Sequence, residues 1–250
     1  MPTAPTLKQA LRAIGAALLF ACGAAAYAHT TVKSQMTEGT TDDNALKIGH
    51  GCTATVLSVT AQSAIFPQDP PMISTSDGSV ITDLSTVISQ GSLVGLVKPI
   101  QDRSIFRTQV AKTDSLGNVT GFHATSGLLT FGIPGRVPFQ FTAPNFVPTS
   151  CANRLLIKIA IADVCVRGVN LADSIKEGKA NLWIPDNGSN LANAGKAANV
   201  DGIGAPATLT INRNLATNPL PSGCGSGIDV TVTPNPSDVD NNLPIPGYWP

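Results

Sequence analysis

Three histidines, His29, His50 and His123, are the side chains best placed to do chemistry near neutral pH. The stretch before His29 gives the first of them a special status. Lys8 and Arg12 precede an apolar run from Ala13, and Ala26-Tyr27-Ala28 has the small-x-small pattern of a signal-peptidase site. Residues 1–28 therefore read as a secretory signal peptide, whose removal makes His29 the first residue. One residue then carries both a free α-amine and an imidazole, which together close a chelate ring on a metal. The amine has an ordinary pKa of about 7.7 to 8.0, so a cation displaces its proton at modest cost near neutrality. Binding should weaken on acidification.

His50 supplies the natural second imidazole. It lies in Ile48-Gly49-His50-Gly51-Cys52, where the flanking glycines permit close backbone approach and a disulfide at Cys52 would hold the histidine in place. Three nitrogens in one plane suit Cu(II), which tops the divalent affinity order and favours tetragonal nitrogen sites. His123, in the turn-like Gly121-Phe122-His123, is expected on the surface and outside this set.

Composition excludes several other chemistries. The 250 residues carry 16 Lys+Arg against 16 Asp+Glu, only 13% charged in all, so no basic surface recommends a nucleic acid as partner. Removing the leader leaves 222 residues with 14 basic and 16 acidic side chains, a formal charge of −2. The sequence has no Gly-x-Ser-x-Gly elbow, no His-Glu-x-x-His helix and no phosphate loop, so hydrolase readings have little support. The apolar leader run falls short of the ~20 residues that span a bilayer, and no later segment crosses one, so no transmembrane anchor is expected in the mature chain.

The cysteines agree with export. Losing Cys22 with the leader leaves Cys52, Cys151, Cys165 and Cys224, an even number that fits two structural disulfides in an oxidising compartment, periplasmic or secreted. Four cysteines allow three pairings, and spacing does not choose among them. A lipoprotein alternative, with Cys22 as the lipidated residue, fits poorly because Phe20 departs from the usual pattern. With no Cys-x-x-Cys, zinc-ribbon and thioredoxin-type chemistry have no basis.

Positioning such a site falls to β-structure. Runs at 45–48, 54–64, 93–97, 105–112, 127–131, 139–142, 155–166, 180–184 and 207–211 are β-branched or alternating, and Gly, Pro, Asn and Asp clusters separate them. In the longest run Leu155, Ile157, Ile159 and Ile161 share one side, with Lys158, Ala160 and Asp163 read among the others. Strands without helix-length spacers predict an all-β antiparallel sandwich rather than an α/β fold. Helix is expected at most near 171–177, and 191–198 reads as loop because Asn and Gly interrupt it. Residues 29–232 form the expected domain, followed by a Pro-rich extended tail over 233–250 that includes Trp249.

At this point the residues carry a likeness. His29-Thr30-Thr31-Val32, the segment Leu46 to Cys52, the strand Leu156 to Cys165, Ala180 to Pro185 with Trp183, and Ala205 to Ile211 occur in an order that resembles the YcnI-like family of periplasmic copper-binding proteins. The resemblance implies an immunoglobulin-like sandwich that binds Cu(II) through a terminal histidine brace at His29, with Trp183 close to the metal. It also implies the pairs Cys52–Cys165 and Cys151–Cys224. Many family members add a carboxylate ligand. Here His50 occupies that region, and Glu38, Asp42 and Asp43 are the nearby oxygen donors.

The function expected on this reading is an exported, non-enzymatic Cu(II)-binding protein that sequesters copper or hands it to another periplasmic copper protein. Two alternatives stand beside it. One is a metal-free secreted structural or adhesion domain. The other is a copper-dependent polysaccharide monooxygenase, which shares the terminal histidine but presents aromatic residues that this chain largely lacks.

Overall fold

The computed structural model describes residues 29–52, 55–167, 171–200 and 202–248. The leader with its cleavage site and Cys22, and likewise Trp249, lie outside the described residues. Two sheets pack face to face. The smaller has the order β1-β3-β9-β6, from β1 (Thr31–Val32), β3 (Thr41–Ile48), β9 (Gly135–Thr142) and β6 (Val97–Pro99). The larger runs β2-β12-β10-β4-β8-β7, from β2 (Met36–Thr37), β12 (Ala207–Asn212), β10 (Ala152–Val164), β4 (Ala61–Ile65), β8 (Val119–Gly127) and β7 (Phe106–Thr113). Also in this sheet, β11 (Ala180–Trp183) pairs with β10, and β13 (Ile228–Thr233) pairs with both β10 and β5 (Met72–Thr75). The chain is thus an all-β sandwich. Two pairs, β10 with β13 and β12 with β2, are parallel, which the expectation of an antiparallel sandwich did not include.

Alternation builds the interior. Val137, Phe139 and Phe141 of β9 face Leu155, Ile157, Ile159 and Ile161 of β10 within one buried cluster. Few aromatics are needed because the phenylalanines are concentrated there: Phe66 lies 5.6 Å from Phe139 and 5.8 Å from Phe141 between ring centres. A fully buried Phe contributes roughly 1.5–3 kcal/mol. The opposite face of β10, with Ala160, Ala162 and Val164, is covered by a second apolar layer that includes Leu182, Leu191, Val239 and Leu243.

Three short helices supply that second layer, two of them where sequence reading placed none. Helix α1 is Leu171–Lys176, α2 Asn190–Ala197 and α3 Pro236–Asn242. In α2 the Ser189 hydroxyl accepts from the Ala192 amide and starts the helix. Gly195 is there for space, since a Cβ at that position would sit 2.5 Å from Ile203 Cδ1. The Pro-rich segment is likewise not an extended tail. Asn235 caps α3 by accepting from the Asp238 amide, Pro236 takes the first helical turn, where its missing N–H costs nothing, and Val239, Leu243 and Ile245 are buried. Lys112 of β7 reaches beneath, donating to the carbonyls of Asn242, Leu243 (3.3 Å) and Pro244 (2.8 Å).

His123 is also corrected. It lies within β8, opposite Ser63 on one side and Val110 on the other, and is half-buried with its Nδ1 sealed from solvent and lacking a hydrogen-bond partner. Burial first, and the Lys112 charge second, push its pKa down to about 4. The folded chain therefore holds this proton less tightly than the unfolded chain does. Its contribution is present above pH ~6.5 and is lost as pH falls toward 4. His123→Gln should flatten the fall in melting temperature between pH 6.5 and 4; an unchanged acid limb would assign it to other groups.

Candidate functional site

His29, His50 and Trp183 lie at one end of the sandwich. Thr31 and Val32 of β1 pair with Lys47 and Leu46 of β3, which places His29 alongside the Gly49-His50 turn. From the larger sheet, Trp183 enters opposite Ile161, and its ring centre lies 4.8 Å from that of His29. Trp183 is only 6% exposed, so one edge belongs to the core and the other meets the histidine.

Beneath this pair lies a residue that sequence reading did not select. Asp163 has the same strand parity as Ile161, so it faces the space between the sheets rather than the outer side on which the sequence reading placed it. Its Oδ2 accepts from the Thr30 hydroxyl at 2.7 Å and from the Trp183 indole at 2.8 Å, and its Oδ1 accepts from the Gln62 amide at 2.7 Å. Thr30 comes from the smaller sheet and the other two donors from the larger, so the carboxylate ties the sheets together directly behind His29. Burial raises the Asp163 pKa, opposed by the three hydrogen bonds and by the nearby His50 charge. A signal was present in the sequence: one acid inside a long apolar run must find partners or pay heavily for desolvation.

His50 is held from its own turn. Its Nδ1 lies 2.6 Å from the Gly51 carbonyl, so the tautomer with the proton on Nδ1 donates there and presents Nε2 outward. Asn181 Nδ2 donates to the same carbonyl at 3.4 Å. Gly51 cannot be larger, because a Cβ would meet the Leu57 carbonyl oxygen at 2.0 Å and Phe131 at 3.4 Å. The next residue, Cys52, is joined to Cys165 at the end of β10, with Cα atoms 6.2 Å apart. Closing a loop of 113 residues stabilises by about 4 to 5 kcal/mol in the chain-entropy model. The second disulfide, Cys151–Cys224, lies at the far end.

The proposed oxygen donors are not brought here. Glu38 is buried at the far end, where its carboxylate accepts from the amides of Phe146 and Asn214 and from Asn218 Nδ2. Asp42 and Asp43 stand exposed near the start of β3, and Asp43 accepts from Gln140. At ~3.3 Å per residue of strand, seven residues put Asp43 roughly 20 Å from His50. Among the described residues no three His, Cys, Asp or Glu side chains gather as a metal cage.

No protein-family model matches the chain, and no curated protein matches it. Among solved structures it is similar to a protein from Nocardia farcinica described as uncharacterized and as having an immunoglobulin-like fold, at 10% identity and a TM-score of 0.39, covering 74% of this chain and 97% of that one. The fold class stands on the two sheets themselves. Two disulfides are typical of chains that fold in an oxidising compartment, and among the described residues no helix is long and apolar enough to cross a membrane.

Proposed function

We propose that the processed chain is an exported, periplasmic Cu(II)-binding protein that takes up copper for sequestration or delivery. In this reading the His29 amine and ring nitrogen form the brace, His50 Nε2 supplies the opposing nitrogen, and water holds the remaining position. The observation that carries it is the packing of His29 against Trp183 over the buried Asp163, beside His50. A carboxylate set behind the histidines favours a cation in front of them, and a fixed His50 tautomer leaves one nitrogen for it. The likeness in motif order to YcnI-like copper proteins supports the same assignment. The position held by water would permit ligand exchange, so transfer of bound copper to a partner suits this reading better than catalysis.

Trp183 is its own reporter. Cu(II) bound at His29 would sit within a few ångströms of the indole and quench its emission. Titration of protein beginning at His29 should show saturable quenching at one equivalent, and His50→Ala should weaken the affinity by about 10- to 100-fold with an unchanged far-ultraviolet spectrum. Equal affinity in the variant would remove His50 from the site. The competing reading, a metal-free structural domain, is favoured by the absence of a three-side-chain donor cluster among the described residues, and it predicts no stoichiometric quenching.

A further inference from the structure

The loops surrounding the candidate site carry apolar side chains that the core does not use. Val56, Leu57, Leu128 and Ile133 are 64%, 37%, 70% and 57% exposed. They belong to one surface. Leu57 bridges to Cys52, Val59 pairs with Leu129, and the Leu128 amide donates to the Ile105 carbonyl. Phe131 lies 6.3 Å from His50 between ring centres. Isolated apolar residues are ordinary on a surface; a group of them around one loop cluster is not.

The charge around this end is equally uneven. Arg103 and Arg107 line an open cleft of about 390 Å³ together with Ser104, Ser126 and Leu128. Neither guanidinium has a hydrogen-bond or ion-pair partner among the described residues. Lys47 and Arg136 stand exposed and directly opposite each other across β3 and β9, a like-charge pairing that costs stability unless an anion faces it. Of the carboxylates on neighbouring loops, Glu177 is paired with Lys179, while Asp102 accepts from the Ser104 amide and keeps its charge. The opposite end of the sandwich carries exposed Asp42, Asp43 and Asp77. Four exposed basic side chains, Arg103, Arg107, Lys47 and Arg136, thus stand around this end of the sandwich.

We infer that this end is a docking surface for an acidic, partly apolar segment of a partner protein. Partner carboxylates enter the Arg103–Arg107 cleft and face Lys47 and Arg136, while apolar side chains cover Leu128, Ile133 and the Val56-Leu57 turn. Complementary charge of this kind steers encounter and fixes orientation. The surface adjoins the copper position, so a docked partner would meet the exchangeable ligand. That purpose rests on the proposed function; the docking itself does not.

The test uses metal-free protein beginning at His29 and a fluorescein-labelled peptide of alternating glutamate and leucine, followed by anisotropy. Saturable binding is expected, weakening about tenfold as salt rises from about 50 to 250 mM. The double variant Arg103→Gln with Arg107→Gln should bind at least about fivefold more weakly, while Asp42→Asn at the far end should match the wild type. Absence of saturable binding, or equal binding by the double variant, would overturn the proposal. So would binding to phosphatidylglycerol vesicles but not to the peptide, or sedimentation showing that the same arginines hold a head-to-tail dimer. Peptide binding without copper binding would overturn only the copper assignment, and the reverse result only the docking surface.

Discussion

Replacing Asp163 with alanine is expected to cost about 3 to 5 kcal/mol of folding stability, because it strands three buried donors at once. Thr30, Gln62 and Trp183 all point at this one carboxylate, and Thr30 and Gln62 are 1% and 0% exposed, so water cannot take its place without opening the sandwich. Asp163→Asn separates hydrogen bonding from charge. Its amide oxygen still accepts from Thr30 and Trp183, while its NH₂ meets Gln62. Gln62 Oε1 is buried and lacks a partner in the native chain, so turning the Gln62 amide over supplies an acceptor. The asparagine variant should remain within about 1 kcal/mol of wild type at neutral pH.

The pH dependence then identifies the carboxylate. Burial raises the Asp163 pKa, so the folded chain holds that proton more tightly than the unfolded chain. Its contribution is fullest below the unfolded value of about 3.9 and declines as pH rises through the folded value. The difference between wild-type and Asp163→Asn stability should follow that decline. Urea unfolding across pH measures it, and an alanine variant losing less than about 1 kcal/mol would show that the three donors find other partners.

How far the sequence could be read depended on the range of the interaction. Alternation in β10 from Leu155 to Ile161 is local, so that strand and the buried face of that stretch were legible. Helix α3 was hidden because five prolines between Pro234 and Pro250 suggested an extended chain, although Asn235-Pro236 is itself a helix start. Helix α2 was hidden because Gly195 reads as a breaker, while its use, contact with Ile203, is tertiary. The parallel pairing of β13 with β10 left no local trace.

The candidate site divides in the same way. His29, His50 and Trp183 could be chosen by residue type and motif order, and the structure places them at one end. The disulfide partners that the resemblance implied are the ones the structure joins. Glu38, Asp42 and Asp43 were selected by proximity in sequence, but β3 carries the chain away from His50, so that proximity is lost. Asp163 was misassigned to the outer side of β10, although counting by twos from Leu155 brings it inward.

The largest effect expected at the site comes from the chain terminus. One extra residue before His29 converts the α-amine into an amide, whose nitrogen no longer offers a lone pair at neutral pH. The proposed chelate ring would then lose one of its two donors, while His50, Trp183 and Asp163 keep their positions. Affinity for Cu(II) should fall by at least about 100-fold, roughly 2.8 kcal/mol, with no change in thermal stability of the metal-free protein. The ring nitrogens that remain would still give weak binding.

Electron paramagnetic resonance of Cu(II) added to protein beginning at His29, beside the form extended by one residue, tests the central claim most directly. The expected result is a nitrogen-rich type 2 signal, saturating at one equivalent, in the first and its loss in the second. Identical signals from the two forms, or no tight binding by either, would contradict a terminal brace and leave a disulfide-bonded β-sandwich whose histidines serve the fold.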